Sequence, residues 1–337
     1  MIVRTKRSIV FTTGMGLLVS AAGIGLVVQD IDPARLGLAL RDADPAWMLV
    51  GLLVIGLSFV ARMRRWAVLL QPHRYRGTTV MAALLVGQVL NFLLPLRAGD
   101  VIRSAALGRA PGSSFERVLG SVAVEKVWDW LTLTLLVLSI ALIVPLPDWF
   151  VGPAWAFGVI AVMLVLGLGL VLLQRRRGLA VVERLTGWLP SKWQVSLLER
   201  TIRLLDGMES LRRRDAMWRA ASWSMLIWLL GIALNMVIMR AFGIDSWPAA
   251  MALMAVLMVG VALPPSIAAL GIFEALTVLT LGVFGVPSET ALAIGVTLHV
   301  IIFVPPIITG SLLTVWESRA GRWPVLSVVH STRSDSA

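Results

Sequence analysis

Residues 87–103 read GQVLNFLLPLRAGDVIR, and residues 260–274 read GVALPPSIAALGIFE. In each stretch an apolar run stops at a Leu-Pro break, and a glycine and an acidic residue follow shortly after. Proline lacks a backbone donor and disfavours helical backbone in the residue before it. The two stretches therefore predict helices that break inside otherwise apolar segments.

The composition around these breaks is that of a membrane protein. The chain has 337 residues, of which 58% are hydrophobic and 15% charged, with a mean hydropathy of +0.86. About 20 apolar residues cross a bilayer core of about 30 Å. Runs of that kind cover residues 9–28, 47–61, 118–144, 155–173, 218–239 and 291–316. The predicted fold class is an all-α polytopic membrane protein with about six transmembrane helices and two re-entrant helical hairpins.

Charge and residue usage exclude several classes of function. Arg4, Lys6 and Arg7 precede the first apolar run as in a secretory signal, but many spans follow, so we expect an uncleaved anchor. The absence of cysteine excludes disulfides, iron–sulfur clusters and thiolate zinc sites, and we expect no cofactor. The net charge of +11 sits beside the membrane segments, where it favours anionic lipid as a partner and not nucleic acid.

The distribution of basic residues predicts a topology. If the N-terminus is cytoplasmic and every apolar run crosses, residues 174–218 lie outside although they carry ten basic side chains, against the positive-inside rule. The run 80–94 is short, ends at Pro95 and is followed by Arg97 and Arg103. We therefore predict that it enters from the cytoplasm and turns back. Residues 29–45 and 144–153 then lie outside, and both termini are cytoplasmic.

A second hairpin is predicted in the other half of the chain. The runs 249–263 and 272–284 are each short for a span, and Pro264, Pro265 and Ser266 separate them. This hairpin opens to the outside, so the two related units form an inverted repeat, as in many secondary transporters. Broken helices inside a membrane must be buried or line a wet cavity, which predicts an internal cavity. The alternative is a pair of proline kinks in ordinary spans.

These assignments divide the chain into five parts. Residues 1–45 form the anchor helix and an outer loop, and residues 46–173 the first membrane half, with a cytoplasm-facing hairpin. Residues 174–217 form a cytoplasmic amphipathic linker. Residues 218–317 form the second half, with an outward-facing hairpin, and residues 318–337 a cytoplasmic tail. The expected location is the inner membrane of a bacterium.

Three groups of residues carry a resemblance to a known family. They are Asn91, Pro95, Arg97, Gly99, Asp100 and Arg103; Glu125, Lys126 and Asp129; and Pro264, Ser266, Gly271 and Glu274. Over about residues 47–316 the sequence resembles the lysylphosphatidylglycerol synthase transmembrane-domain family, the flippase-like part of bacterial multiple peptide resistance proteins. The resemblance implies two re-entrant helices and transfer of polar-headed lipids between leaflets. We expect no soluble aminoacyltransferase domain and therefore no lysyl transfer. Ala268 and Ala269 stand where the family pattern leads us to expect a glycine.

Ionisable side chains at membrane depth are candidates for a functional site because burying them is costly. The spacing of three and four residues places Asp129 on the same side of a helix as Glu125 and Lys126. We predict that this cluster forms a charge network with Arg97, Asp100 and Arg103. The arginines suit a lipid phosphate, because a guanidinium fork matches it. The alternative is that these charges only lock the hairpin to its neighbouring helix.

The remaining predicted site residues lie near the two breaks. Asn91 and Ser266 are assigned to substrate binding, and Pro95, Gly99, Pro264, Pro265 and Gly271 to the structural breaks. Glu274 follows the second break, where it either caps a half-helix or forms the counterpart of Asp100. His299 is expected to be a satisfied core histidine and not a proton relay.

The predicted function is translocation of a polar-headed phospholipid, glycolipid or polyprenyl-linked lipid, without catalysis. One alternative is a membrane glycosyltransferase with a lipid-phosphate donor, because Asp30 and Asp32 lie just outside the first span. Against it, Asp42 and Asp44 show that this loop is simply acid-rich. Another alternative is an ion-coupled carrier of a small solute, which an inverted repeat also allows. The sequence contains no P-loop or nucleophile elbow, so we expect no ATP hydrolysis.

Overall fold

The computed structural model describes residues 31–93, 98–143, 175–188, 190–262 and 269–320, with isolated positions at 25 and between 152 and 167. The regular elements with described bounds are all helical. They are α1 (Pro33–Asp42), α2 (Pro45–Leu69), α3 (Gly77–Leu93), α4 (Ala98–Gly108), α5 (Phe115–Ile143), α6 (Arg175–Leu185), α7 (Ser191–Gly207), a 3₁₀ helix (Glu209–Arg212), α8 (Arg214–Ala241), α9 (Trp247–Ala262), α10 (Ile272–Val283) and α11 (Ser288–Arg319). The predicted spans 9–28 and 155–173 lie outside the continuously described ranges.

Three of these helices are long and apolar enough to cross a membrane, namely α2, α8 and α11. They contain the predicted spans 47–61, 218–239 and 291–316. A fourth long helix, α5, has 29 residues and carries charged side chains in its first half. The all-helical architecture and the membrane class predicted from the sequence are confirmed. The number of spans and the re-entrant geometry stay predictions.

Local signals explain where several helices begin. The carboxylates of Asp32 and Asp44 accept hydrogen bonds from the backbone N–H groups of Ala34 and Ala46, each at 2.8 Å. Each aspartate is followed by a proline in the first helical turn, where its missing N–H costs nothing. Two acids of the predicted outer loop are therefore helix caps.

One end of the helix bundle collects basic segments, and we call it the basic end. Arg219, near the start of α8, donates to the Gln71 side chain just after α2, at 3.3 Å. Thr79, near the start of α3, donates to Glu317, near the end of α11, at 2.8 Å. Helices α2 and α11 therefore end here, and α3 and α8 begin here.

The opposite end of the bundle carries acids, and we call it the acidic end. The backbone N–H of Asp44 donates to the carbonyl of Ala241 at 2.8 Å, which joins the start of α2 to the end of α8. Arg240 pairs with Asp245 at 3.1 Å, and its guanidinium lies 5.4 Å from the ring centroid of Trp47. Helices α2 and α8 thus run antiparallel between the two ends.

The short helices occur as two pairs. Helix α3 begins at the basic end, and α4 returns to it, because Tyr75 in the loop after α2 donates to Ser113 in the loop after α4 at 2.5 Å. With 17 and 11 residues, α3 and α4 are about 26 and 16 Å long, below the bilayer core. Helices α9 and α10, with 16 and 12 residues, connect the end of α8 to the start of α11 at the acidic end. The breaks between the helices of each pair, residues 94–97 and 263–268, lie outside the described residues.

Candidate functional site: a buried charge network

Six ionisable side chains meet where α2, α4 and α5 pack together. They are Arg65 from α2, Asp100 and Arg103 from α4, and Glu125, Lys126 and Asp129 from α5. A charge removed from water is tolerated only when it is paired and hydrogen-bonded. The pairing of each group therefore decides what the cluster can do.

Arg65 is the most deeply buried member, with no exposed side-chain surface. Its Nη1 lies 2.7 Å from Asp129 Oδ1 and donates to Ser224 Oγ at 3.1 Å. Its Nη2 lies 3.4 Å from Glu125 Oε1. This guanidinium consequently joins α2, α5 and α8.

Arg103 and Lys126 complete the network. The Nη2 atom of Arg103 lies 2.9 Å from Asp100 Oδ1 and 3.1 Å from Glu125 Oε2. The Nζ atom of Lys126 lies 3.1 Å from Asp100 Oδ2. The side chains form one alternating chain of cations and anions, in the order Lys126, Asp100, Arg103, Glu125, Arg65, Asp129. Each internal member has a partner on both sides.

Neutral residues fix the position of Arg103 and Asp100. The guanidinium of Arg103 lies 4.5 Å from the ring centroid of Trp66, a cation–π contact. Asn91 accepts a hydrogen bond from the backbone N–H of Asp100 at 3.2 Å, which satisfies a donor in the first turn of α4. A Cβ atom on Gly87 would lie 2.8 Å from Arg103 Cδ, so glycine makes room for the arginine.

The network is closed on one side and open on the other. The side chains of Arg65 and Arg103 are 0% and 4% exposed, whereas those of Lys126 and Asp129 are 31% and 26% exposed. Lys126 lies eleven residues after Phe115, or about 16 Å along α5. The open side therefore presents one cation and one anion about three to four turns into α5.

The comparison with known proteins assigns the family. Residues 15–310 match the profile of the lysylphosphatidylglycerol synthase TM region. The chain belongs to this family. A curated relative of this family member, glycosyltransferase AglD of Haloferax volcanii, is 25% identical over an aligned length of 322 residues, and the match covers 85% of the chain and 51% of the relative. The chain thus spans about half the length of that relative.

In this family member, Glu274 and His299 form a pair beside the second break, separate from the charge network. Glu274 Oε2 accepts a hydrogen bond from the backbone N–H of Gly271 at 2.7 Å, and Gly271 has a φ of 81°. Glu274 Oε1 lies 2.8 Å from Nδ1 of His299 on α11. The carboxylate therefore both caps α10 and has a side-chain partner. His299, for which the sequence predicted a satisfied core position, is buried against it.

An aromatic contact connects this pair to the first break. The ring of His299 stacks on Phe303 with centroids 4.2 Å apart, and Phe303 lies 4.0 Å from Phe92. Phe92 follows Asn91 directly in α3. The last turn of α3 is thus in contact with the helix that carries the partner of Glu274.

The structure brings most of the predicted site residues together and leaves some outside its description. Asn91, Asp100, Arg103, Glu125, Lys126 and Asp129 lie in one network, and Glu274 lies with His299. Arg97, Ser266, Pro95, Pro264 and Pro265 are outside the described residues. Gly99 lies at the contact between α3 and α4, where a Cβ atom would be 2.0 Å from the Gly87 carbonyl oxygen.

Sequence reasoning missed Arg65, Trp66 and Ser224. Arg65 lies beyond the apolar run 47–61, in the part of α2 that continues to Leu69. The apolar stretch Trp66–Leu70 directly after the arginines was the available signal, because it continues the helix past them. Within the described residues, no group of three or more histidine or acidic side chains is placed to hold a metal ion.

Proposed function

We propose that this chain moves a polar-headed lipid or lipid-linked molecule between the leaflets of its membrane, and that the charge network receives the headgroup. The observation that supports this most is the exposed edge formed by Lys126 and Asp129, deep along α5. A site that admits a polar headgroup needs an open edge.

The alternating order of charges suits a group that must bind and leave. When a phosphate binds Arg103, Asp100 keeps Lys126 as its partner and Glu125 keeps Arg65. Partners can therefore be exchanged without leaving a buried charge alone, which is the costly state. The guanidinium fork supplies the directional donors that a phosphate requires.

The two short helix pairs fit the same proposal. The pair α3 and α4 opens to the basic end, and α9 and α10 open to the acidic end. In this proposal they are the re-entrant hairpins of an inverted repeat. Helix α11 links them, because its Phe303 contacts Phe92 of α3 and its His299 contacts Glu274 of α10. Alternating exposure of a fixed site is the working principle of such repeats.

Lipid transfer by purified protein tests the proposal. Proteoliposomes containing fluorescent phosphatidylglycerol are treated with a membrane-impermeant quencher, and the rate at which the inner-leaflet label becomes accessible is measured. Loss of one charge-assisted contact is worth about 1.5–3 kcal/mol, so Arg103→Gln and Glu125→Gln should slow transfer at least about tenfold. Arg240→Gln, at the exposed pair with Asp245, is the matched control. Unchanged transfer by both site variants, with normal folding, contradicts the proposal.

A second candidate function is glycosyl transfer, which the printed name of the Haloferax volcanii relative favours. Asp32→Asn separates the two functions, since asparagine also caps a helix and so α1 is preserved. A glycosyltransferase that uses this acid should lose activity in the variant. We expect Asp32→Asn to keep lipid transfer and Asp100→Asn to lose it.

A further inference from the structure

One arginine beside the charge network has no partner of its own. Arg62 lies on α2 three residues before Arg65, so the two arginines share one side of the helix. Its side chain is partly buried, whereas that of Arg64 is exposed. Arg62 is attracted by Asp129 and repelled by Arg65. With the described residues, however, its guanidinium forms no ion pair and no hydrogen bond.

The charges at this place do not cancel. The charge network contains three cations and three anions, and each of them has a partner of opposite charge. Arg62 adds a fourth cation, so the described site carries one positive charge in excess. Asp129 does not neutralise this charge, because its carboxylate already lies 2.7 Å from Arg65 Nη1. A partly buried cation is stabilised only when an anion supplies the missing charge.

We propose that Arg62 binds the phosphate of the transported lipid, and that this lipid is one whose headgroup carries a net negative charge. The inference rests on the proposed function and deepens it by naming the substrate class. A headgroup with one negative charge would cancel the excess. A zwitterionic headgroup would leave the excess unchanged, and a cationic headgroup would add a second like charge, which repels the first.

The position of Arg62 suits an incoming headgroup. Asp129, which attracts it, is one of the two exposed members of the charge network. Arg62 lies seven residues before Leu69, or about 10 Å along α2 from the basic end. Arg103 is almost completely buried, so Arg62 is the more accessible of these two arginines. Its guanidinium offers several donors in a fork that a phosphate can accept together.

Stability separates this role from a structural one. Arg62→Gln removes a cation that has no partner among the described residues, so no acid loses its counterion. The unfolding midpoint in detergent without added lipid should therefore stay equal to that of the wild-type protein or rise. Arg65→Gln should lower it, because Asp129 and Glu125 then lose a partner. A comparable loss of stability in Arg62→Gln would show that Arg62 holds the helices together, and it overturns the inference.

The ratio of two transfer rates tests the substrate class, since a ratio does not depend on the amount of active protein. Phosphatidylcholine proteoliposomes receive phosphatidylglycerol or phosphatidylethanolamine, each labelled on its acyl chain, and quencher accessibility is followed. The wild-type protein should move phosphatidylglycerol at least about tenfold faster, which is the effect of one charge-assisted contact. Arg62→Gln should lower this ratio about tenfold. Arg62→Lys, which keeps the charge, and Arg64→Gln, at the exposed arginine, should retain most of it.

The outcomes distinguish this inference from the proposed function. Equal rates for the two lipids, or faster transfer of phosphatidylethanolamine, overturn the inference and leave the proposed function standing. An unchanged ratio in Arg62→Gln does the same, and so does an equal loss in Arg64→Gln, which would trace the preference to surface charge. If the folded wild-type protein transfers neither lipid, the proposed function fails and the inference fails with it.

Discussion

At the scale of single residues, the guanidinium of Arg65 is held by two carboxylates and a hydroxyl from two other helices. Its partners are Glu125, Asp129 and Ser224. Removing a buried charge leaves its partners uncompensated, which costs about 3–5 kcal/mol. We expect Arg65→Ala to lower the free energy of unfolding by about that amount, measured by denaturant or thermal unfolding in detergent.

The neighbouring residue gives a matched control for this change. Arg64 is exposed on the same helix, so Arg64→Ala should leave the unfolding midpoint almost unchanged. Arg65→Lys should fall between the two, because an ammonium keeps the charge but cannot reproduce the fork that reaches both acids. Equal stability of Arg65→Ala and Arg64→Ala would show that the network does not hold the helices together.

The same residues show where sequence reasoning works and where it stops. Glu125, Lys126 and Asp129 are neighbours on a helix surface, so their spacing alone was enough to predict the cluster. Arg65 lies 60 residues from Glu125 and 159 from Ser224 along the chain. No local pattern reports contacts at that separation. Only the packing of α2 between α5 and α8 reveals them.

At the scale of helices, the contact between α3 and α4 depends on two glycines. A Cβ atom on Gly99 would lie 2.0 Å from the carbonyl oxygen of Gly87 and 2.8 Å from the backbone nitrogen of Asn91. Backbone atoms cannot move aside as a flexible side chain can. We therefore expect Gly99→Ala to separate the two helices, lower stability and slow lipid transfer.

Unfolding and lipid transfer are measured together on the glycine variants. Gly56→Ala on α2 is the control, because its added Cβ atom would meet nothing within 4 Å. Alanine there should be neutral or slightly stabilising, by up to about 1 kcal/mol, from its better helix propensity. A Gly99→Ala protein as stable and active as Gly56→Ala would show that α3 and α4 are not packed this closely.

Helix bounds were predictable where a chemical signal marks them. Asp44 and Pro45 mark the start of α2, and the predicted span 118–144 lies close to the observed Phe115–Ile143. The predicted span 47–61 covers only the apolar part of α2, which continues as a helix to Leu69. Arg65 is retained inside this helix, because the acids of α5 neutralise it.

At the scale of the whole molecule, charge divides the bundle into a basic and an acidic end. Residues 70–76, 109–117 and 200–219 meet at the basic end through contacts such as those between Gln71 and Arg219 and between Arg117 and Asp206. Asp44 and Asp245 lie at the acidic end. The charge pattern of the sequence predicted this division. It could not predict which helices pack side by side, because that depends on long-range contacts.

The positive-inside rule turns this division into a prediction about orientation. Ser191 begins α7, which is docked on the first turn of α5 by Arg203 and Glu116 at 3.4 Å. Ser288 begins α11, which runs about 48 Å to its other end beside Thr79. The two serines therefore lie at opposite ends of the bundle.

In intact cells, a membrane-impermeant maleimide should label Ser288→Cys and leave Ser191→Cys unlabelled, whereas both should react after lysis. The cysteine-free chain provides the blank. Labelling of Ser191→Cys but not of Ser288→Cys in intact cells would reverse the orientation, and labelling of both would mean that α11 does not cross the membrane.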